Sequence, residues 1–115
     1  MCNEPLGMAD DTIILDSQIT ASNFVSDEWG DWPPHTARLN QNTAWSTHIY
    51  DQNQWLQVVL NADHHLYGVQ TQGYLDAWIT SFKVYYSTDD GATWQSVNGT
   101  DGQPEVWCFM QDMAL

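Results

Sequence analysis

Lysine and arginine are nearly absent from this 115-residue chain. Arg38 and Lys83 are the only two, against fifteen acids, which gives a formal charge of −13. Two bases cannot displace the counterions of a phosphate backbone, so DNA and RNA are excluded as partners. Anionic membrane surfaces are disfavoured on the same electrostatic ground. Long apolar runs are missing too, and none nears the roughly 18 residues of a membrane span. The opening Met1-Cys2-Asn3-Glu4-Pro5 has no basic residue and no apolar stretch after it, so it is not read as a signal peptide. Cysteine is sparse, with only Cys2 and Cys108 near opposite ends. If they pair, they close nearly the whole chain, an entropic gain of about 4 to 5 kcal/mol before strain. Such a staple suits an oxidising compartment.

Catalytic signatures are also missing. There is no Gly-x-Ser-x-Gly elbow, no phosphate loop and no dinucleotide fingerprint. The four histidines, His35, His48, His64 and His65, lie in no recognisable motif. His64 and His65 are adjacent on what reads as a turn, where neighbouring side chains point apart and chelate one metal poorly. The carboxylates Asp27, Glu28 and Asp31 form one cluster, and Asp10, Asp11 and Asp16 another. Neither has the spacing of an EF-hand. The first is the candidate calcium site, since calcium takes oxygen donors from loops. Asn98-Gly99-Thr100 is a glycosylation sequon at Asn98, which matters only in a secreted chain.

What the chain has is short β-rich runs and many large rings. Hydrophobic residues make up 43% and aromatics 13%, with seven tryptophans, so wholesale disorder is unexpected. No long segment keeps a helical period, and the runs alternate with turn residues, which reads as all-β. Thr12 to Leu15 is one such run. Trp55 to Leu60 places Leu56, Val58 and Leu60 on one face. Tyr67 to Thr71 is another candidate strand. Ser81 to Tyr86 points Phe82, Val84 and Tyr86 inward. Asp90-Gly91 then predicts a tight hairpin, because the turn needs positive φ. The surrounding Ser87-x-Asp89-x-Gly91-x-Thr93-Trp94 resembles the Asp-box of sialidases, a self-stabilised hairpin in which the acid bonds turn amides and the Trp packs beneath. It occurs once, in a chain too short for a propeller. Residues 23 to 54 are irregular and rich in rings, which either plug the end of a barrel or form a binding surface.

Several phrases carry a resemblance when read in order. They are Cys2-x-x-Pro5-Leu6-Gly7-Met8, Asp16-x-Gln18-Ile19-Thr20-Ala21-Ser22, Ala37-Arg38-Leu39-Asn40, Ala44-Trp45, Trp55-Leu56-Gln57-Val58, Gly68-Val69-x-Thr71-Gln72-Gly73 and Ser81-Phe82-Lys83-Val84-x-Tyr86-Ser87. In this register they resemble the discoidin domain, or coagulation factor V/VIII type C domain, from Cys2 to about Trp94.

The resemblance implies an antiparallel jelly-roll β-sandwich or barrel that is not itself catalytic. It implies an extracellular or cell-surface module for adhesion or recognition. Family ligands include phosphatidylserine membranes, glycans, collagen and other proteins, bound by loops that project from one end as spikes. The first spike would lie between Ser22 and Ala37, with Phe24, Trp29 and Trp32. The second would span Ser46 to Gln54, with His48 and Tyr50. The third would follow Gly73, with Tyr74, Leu75 and Trp78. Trp45 and Trp55 are assigned to the core, and Arg38 to a structural ion pair with a carboxylate such as Asp16.

Three departures qualify the resemblance. Val59 stands where the family usually has Asp. The family's bases are nearly gone, which favours a protein or glycan ligand, or a cationic or calcium-dependent one, over phosphatidylserine. After about Gln95 nothing is recognisable, and Cys108 lies in unfamiliar sequence rather than in the family's closing phrase. The expectation is a discoidin-like unit over residues 1–97 lacking its last strands, followed by a divergent tail over 98–115. The rival readings are a sialidase-like glycoside hydrolase fragment and a non-functional truncated product.

Overall fold

The computed structural model describes residues 6–62, 69–75, 77, 79, 81–97 and 111–114. The all-β class is the one observed. Among the described residues there is no α-helix, and the only helical turns are short 3-10 segments at Asp16–Gln18 and Pro34–Thr36.

The strands, in chain order, are β1 (Ile19–Ala21), β2 (Ser26–Asp27), β3 (Gly30–Asp31), β4 (Leu56–Val58), β5 (Val69–Gln72), β6 (Tyr85–Tyr86), β7 (Gln95–Ser96) and β8 (Gln111–Ala114). They pair two by two. Pairs β1–β4, β2–β3 and β6–β7 are antiparallel, and β5–β8 is parallel.

The core lies against the β1–β4 pair. Ile19 faces Val58 and Ala21 faces Leu56 across the ladder. These four residues belong to the side that packs on Met8, Ile14, Ala37 and Trp45. Leu60 joins the same packing, so the face expected for Leu56, Val58 and Leu60 is the one that forms. Period-two alternation sends Thr20 and its partner Gln57 to the other side. Trp45 is buried, and its indole Nε1 donates to the Asn23 carbonyl at 2.9 Å. That bond removes the cost of burying a polar ring edge.

Three expectations are corrected. Thr12 to Leu15 is a turn rather than a strand. Ile13 and Ile14 donate their amides to the Asp10 carbonyl at 3.1 and 3.0 Å. The Asp10 carboxylate accepts both the Thr12 amide, at 2.8 Å, and its hydroxyl, at 2.6 Å. Local side-chain bonding of this kind outcompetes strand propensity.

Trp55 is not a core residue, being 49% exposed. The alternation that turns Leu56 inward turns Trp55 outward. Phe82 and Tyr86 also remain 51% and 40% exposed, and only Val84 of that expected inward face is half-buried. Among the described strands β6 hydrogen-bonds to β7 alone.

The Asp90-Gly91 hairpin is present. Asp90 and Gly91 have φ of 56° and 84°, and the Ala92 amide donates to the Asp89 carbonyl at 3.2 Å. Positive φ at both central residues is what a tight hairpin turn demands. A Cβ at Gly91 would sit 3.4 Å from the Trp94 ring, so Trp94 lies directly beneath the turn. The candidate strand Tyr67–Thr71 is found as Val69–Gln72. Tyr67, Gly68, Cys2, Cys108, Trp78, His64, His65 and Asn98 lie outside the described residues.

Candidate functional site

Three loops carry the most exposed large apolar side chains described, Trp29, Tyr50 and Leu75. The first is the β2–β3 hairpin, with a two-residue tip of Glu28 and Trp29. Asp27 accepts the Trp29 amide at 2.9 Å, which fixes the tip from within. Trp29 itself is 85% exposed.

The second loop spans Ser46 to Gln54, and Tyr50 is 91% exposed on it. Here Asp51 accepts the Asn53 amide and the Gln54 carboxamide, both at 2.8 Å. The Gln54 bond, and then the Asn53 amide, hold the Asp51 carboxyl below its ordinary value. The third loop turns at Leu75, with Tyr74 and Ala77 exchanging backbone bonds of 3.0 and 3.1 Å. Leu75 is 83% exposed and sits at φ 53°. A branched apolar residue held in the left-handed region and in water is doubly unfavourable, and such strain concentrates at functional positions.

The bases of these loops are joined. The Asn23 carboxamide oxygen accepts the Thr47 hydroxyl at 2.6 Å and the His48 amide at 3.0 Å. Its nitrogen donates to Gln54. Gln54 also accepts the Ser22 hydroxyl at 2.8 Å. Backbone bonds from Val25 to Ser46, 2.8 Å, and from Trp32 to Val25, 2.9 Å, extend the seam. Trp32 then meets Tyr74 with ring centroids 5.8 Å apart and planes at 53°, which brings in the third loop. The Tyr74 hydroxyl donates to the Asn42 carbonyl at 3.2 Å.

The candidate residues therefore divide. Trp29, Tyr50 and Leu75 stand at the tips. Trp32 and Tyr74 are half-buried against each other and brace the loops. Phe24 is 39% exposed on the approach to the hairpin, and His48 is exposed, tied in by its backbone amide.

Sequence reading missed Ser22, Asn23, Thr47 and Gln54. Uncharged polar side chains leave no periodicity and no charge signature. The only hint was the polar run Gln52-Asn53-Gln54 beside a ring-rich loop.

The candidate calcium site does not assemble. Asp27 is engaged by Trp29, and Asp31 accepts from Ser26. Among the described residues no group of His, Cys, Asp and Glu comes together to hold a metal ion. The second acidic cluster lines a separate open cleft of about 420 Å³ with His35, Arg38 and Thr43. None of the three loop tips lines that cleft.

The sialidase-like box proves to be a turn device. Asp89 accepts the Thr93 amide at 2.9 Å and the Ser87 hydroxyl at 2.7 Å on one oxygen, and the Thr93 hydroxyl at 2.6 Å on the other. The Thr93 side chain, then its amide, pulls the Asp89 carboxyl down to about 2.

Comparison with known proteins agrees with this architecture. The F5/8 type C domain profile matches residues 18–108. Lactadherin of Sus scrofa is 38% identical over 104 residues, covering 81% of this chain and 25% of lactadherin. Coagulation factor V of Pseudonaja textilis is 35% identical over 101 residues, covering 82% of this chain and 7% of the factor. The venom prothrombin activator omicarin-C non-catalytic subunit of Oxyuranus microlepidotus is also 35% identical over 101 residues, with the same two shares. This chain belongs to the F5/8 type C, or discoidin, domain family. It spans a quarter or less of the length of these three relatives.

Proposed function

We propose that the chain is a non-catalytic extracellular binding module that contacts its ligand through the three loop tips. One observation carries the reading. Trp29, Tyr50 and Leu75, at 85%, 91% and 83% exposure, are the most solvent-exposed large apolar side chains described, and each tops a different loop. Rigid loops presenting lone apolar groups are built for contact, since nothing in the fold gains from exposing them. The name of one relative, a non-catalytic subunit, points the same way.

Within this reading a protein or glycan ligand stands ahead of a phosphatidylserine membrane, because the chain carries −13. The role is adhesion or recognition. The glycoside hydrolase alternative gains nothing from Asp89, whose two oxygens are committed to the turn.

The test is retention on a glycan array and on phosphatidylserine vesicles, beside hydrolysis of a chromogenic sialoside. The expected result is retention that Trp29→Ala, Tyr50→Ala and Leu75→Ala together abolish, with no hydrolysis. Retention unchanged in the triple variant, or sialoside turnover, overturns the proposal.

A further inference from the structure

Resting on the reading of the loop tips as the contact surface, we infer that their partner is cationic: a protein face bearing clustered arginine and lysine side chains. Two of the three tips have exposed acids next to them along the chain. Asp27, Glu28 and Asp31 surround Trp29, and Asp51 follows Tyr50 directly. All four acids are exposed. No lysine or arginine occurs in residues 22–37 or 46–54. Arg38 is buried against Asp16 and does not offset the field. Glu28 makes no hydrogen bond or ion pair among the described residues.

The kind of cation follows from how the acids are spread. They do not converge into a metal-binding group, so the surface suits several separated charges rather than one ion. Trp29 and Tyr50 supply the complementary element, because a guanidinium or ammonium is drawn to the face of an aromatic ring. Arginine adds planar stacking and forked bonds to carboxylates. The Asn23–Gln54 seam ties the bases of the two loops together, and preorganisation of this kind lowers the entropic cost of docking. The same field repels anionic lipid headgroups and steers a basic partner inward.

The test titrates the chain with fluorescein-labelled nona-arginine, and in parallel with phosphatidylserine vesicles. Trp29→Ala, Tyr50→Ala and Glu28→Gln are each expected to weaken peptide binding, about tenfold for the aromatic variants. Asp90→Asn is the charge control. It removes one acid from the β6–β7 hairpin, which is none of the three loops, at a φ of 56° that asparagine tolerates, and is expected to change binding by less than about twofold. Equal weakening by Glu28→Gln and Asp90→Asn would mean diffuse attraction to an acidic chain and overturns the inference. So does absence of peptide binding. If vesicles bind and Trp29→Ala releases them while the peptide does not bind, the tips remain the contact surface and only the cationic partner is wrong. If the peptide binds and neither aromatic variant matters, both readings fail. Two aromatic variants on separate loops keep the test decisive should one perturb folding.

Discussion

Arg38 donates from its guanidinium to Asp16 at 2.7 Å and, through its other terminal nitrogen, to the Met8 carbonyl at 2.7 Å. The guanidinium is buried, whereas the Asp16 side chain is 57% exposed. The two partners are therefore unequal. Arg38→Ala leaves a buried carbonyl without its donor and a void beside Met8, and is expected to cost about 3 kcal/mol. Asp16→Asn keeps an acceptor in reach of water, where ion pairs are screened, and should cost about 1 kcal/mol. Urea denaturation of both variants checks the asymmetry.

Acid sensitivity of the Asp-box hairpin follows from Asp89. Its folded value of about 2 lies below the ordinary 3.8. A depressed carboxyl stabilises the fold above the unfolded value, and that contribution is lost as pH falls through the folded one. The hairpin should thus hold its structure at pH 4 and lose the Asp89 contribution between about pH 4 and pH 2. Thr93→Val removes the largest cause of the shift, so the Asp89 titration should move up towards 3.8. Carboxyl chemical shifts across an acid titration measure both values.

Gly7 tests the packing of the opening turn. At φ +95° it adopts a conformation that side chains resist, and a Cβ there would lie 2.5 Å from the Ile13 methyl carbon Cγ2. Gly7→Ala is expected to lower stability by about 1 to 3 kcal/mol. Ile13→Ala in the same chain should recover part of that loss, because it removes the Cγ2 contact at 2.5 Å but leaves the Ile13 Cβ at 2.9 Å and the backbone strain. Thermal denaturation of the single and double variants reads out the coupling.

Asn23 is the hinge pin between the first two loops. Asn23→Ala leaves the His48 amide without its Asn23 acceptor and cuts the tie to Gln54, while the Thr47 hydroxyl falls back on the Ile49 carbonyl at 3.1 Å. The site is part-buried, so a cost of about 1 to 2 kcal/mol is expected. Amide exchange should quicken at His48, while β1 and β4 stay protected. Equal loosening of the β1–β4 pair would assign Asn23 to the core instead.

How far the sequence disclosed this fold depended on the range of the interaction. Alternation placed Leu56, Val58 and Leu60 correctly because a strand's period is a local property. Asp90-Gly91 located its turn because positive φ restricts residue choice. The lone buried arginine and its partner Asp16 were legible as a pair because so few bases were there to choose from. Trp55 was misassigned through the company it keeps in a family phrase, when its own alternation with Leu56 already pointed outward. Thr12 to Leu15 has strand propensity, but the Asp10 carboxylate accepts from the Thr12 amide and hydroxyl and holds the segment in a turn. The loop seam was invisible for a different reason. Asn23 and Gln54 are separated by more than thirty positions, at a sequence distance of 31, and only folding brings them together.

Whether the loop tips are the contact surface is read out by fluorotryptophan NMR. The chain's seven tryptophans give one resonance each, assigned by single Trp→Phe variants. A partner retained in the binding screen is then titrated in. The Trp29 resonance is expected to shift and broaden while Trp45, buried in the core, stays put. A Trp29 signal that does not move while Trp55 or Trp94 shifts would place the contact elsewhere on the molecule and contradict it.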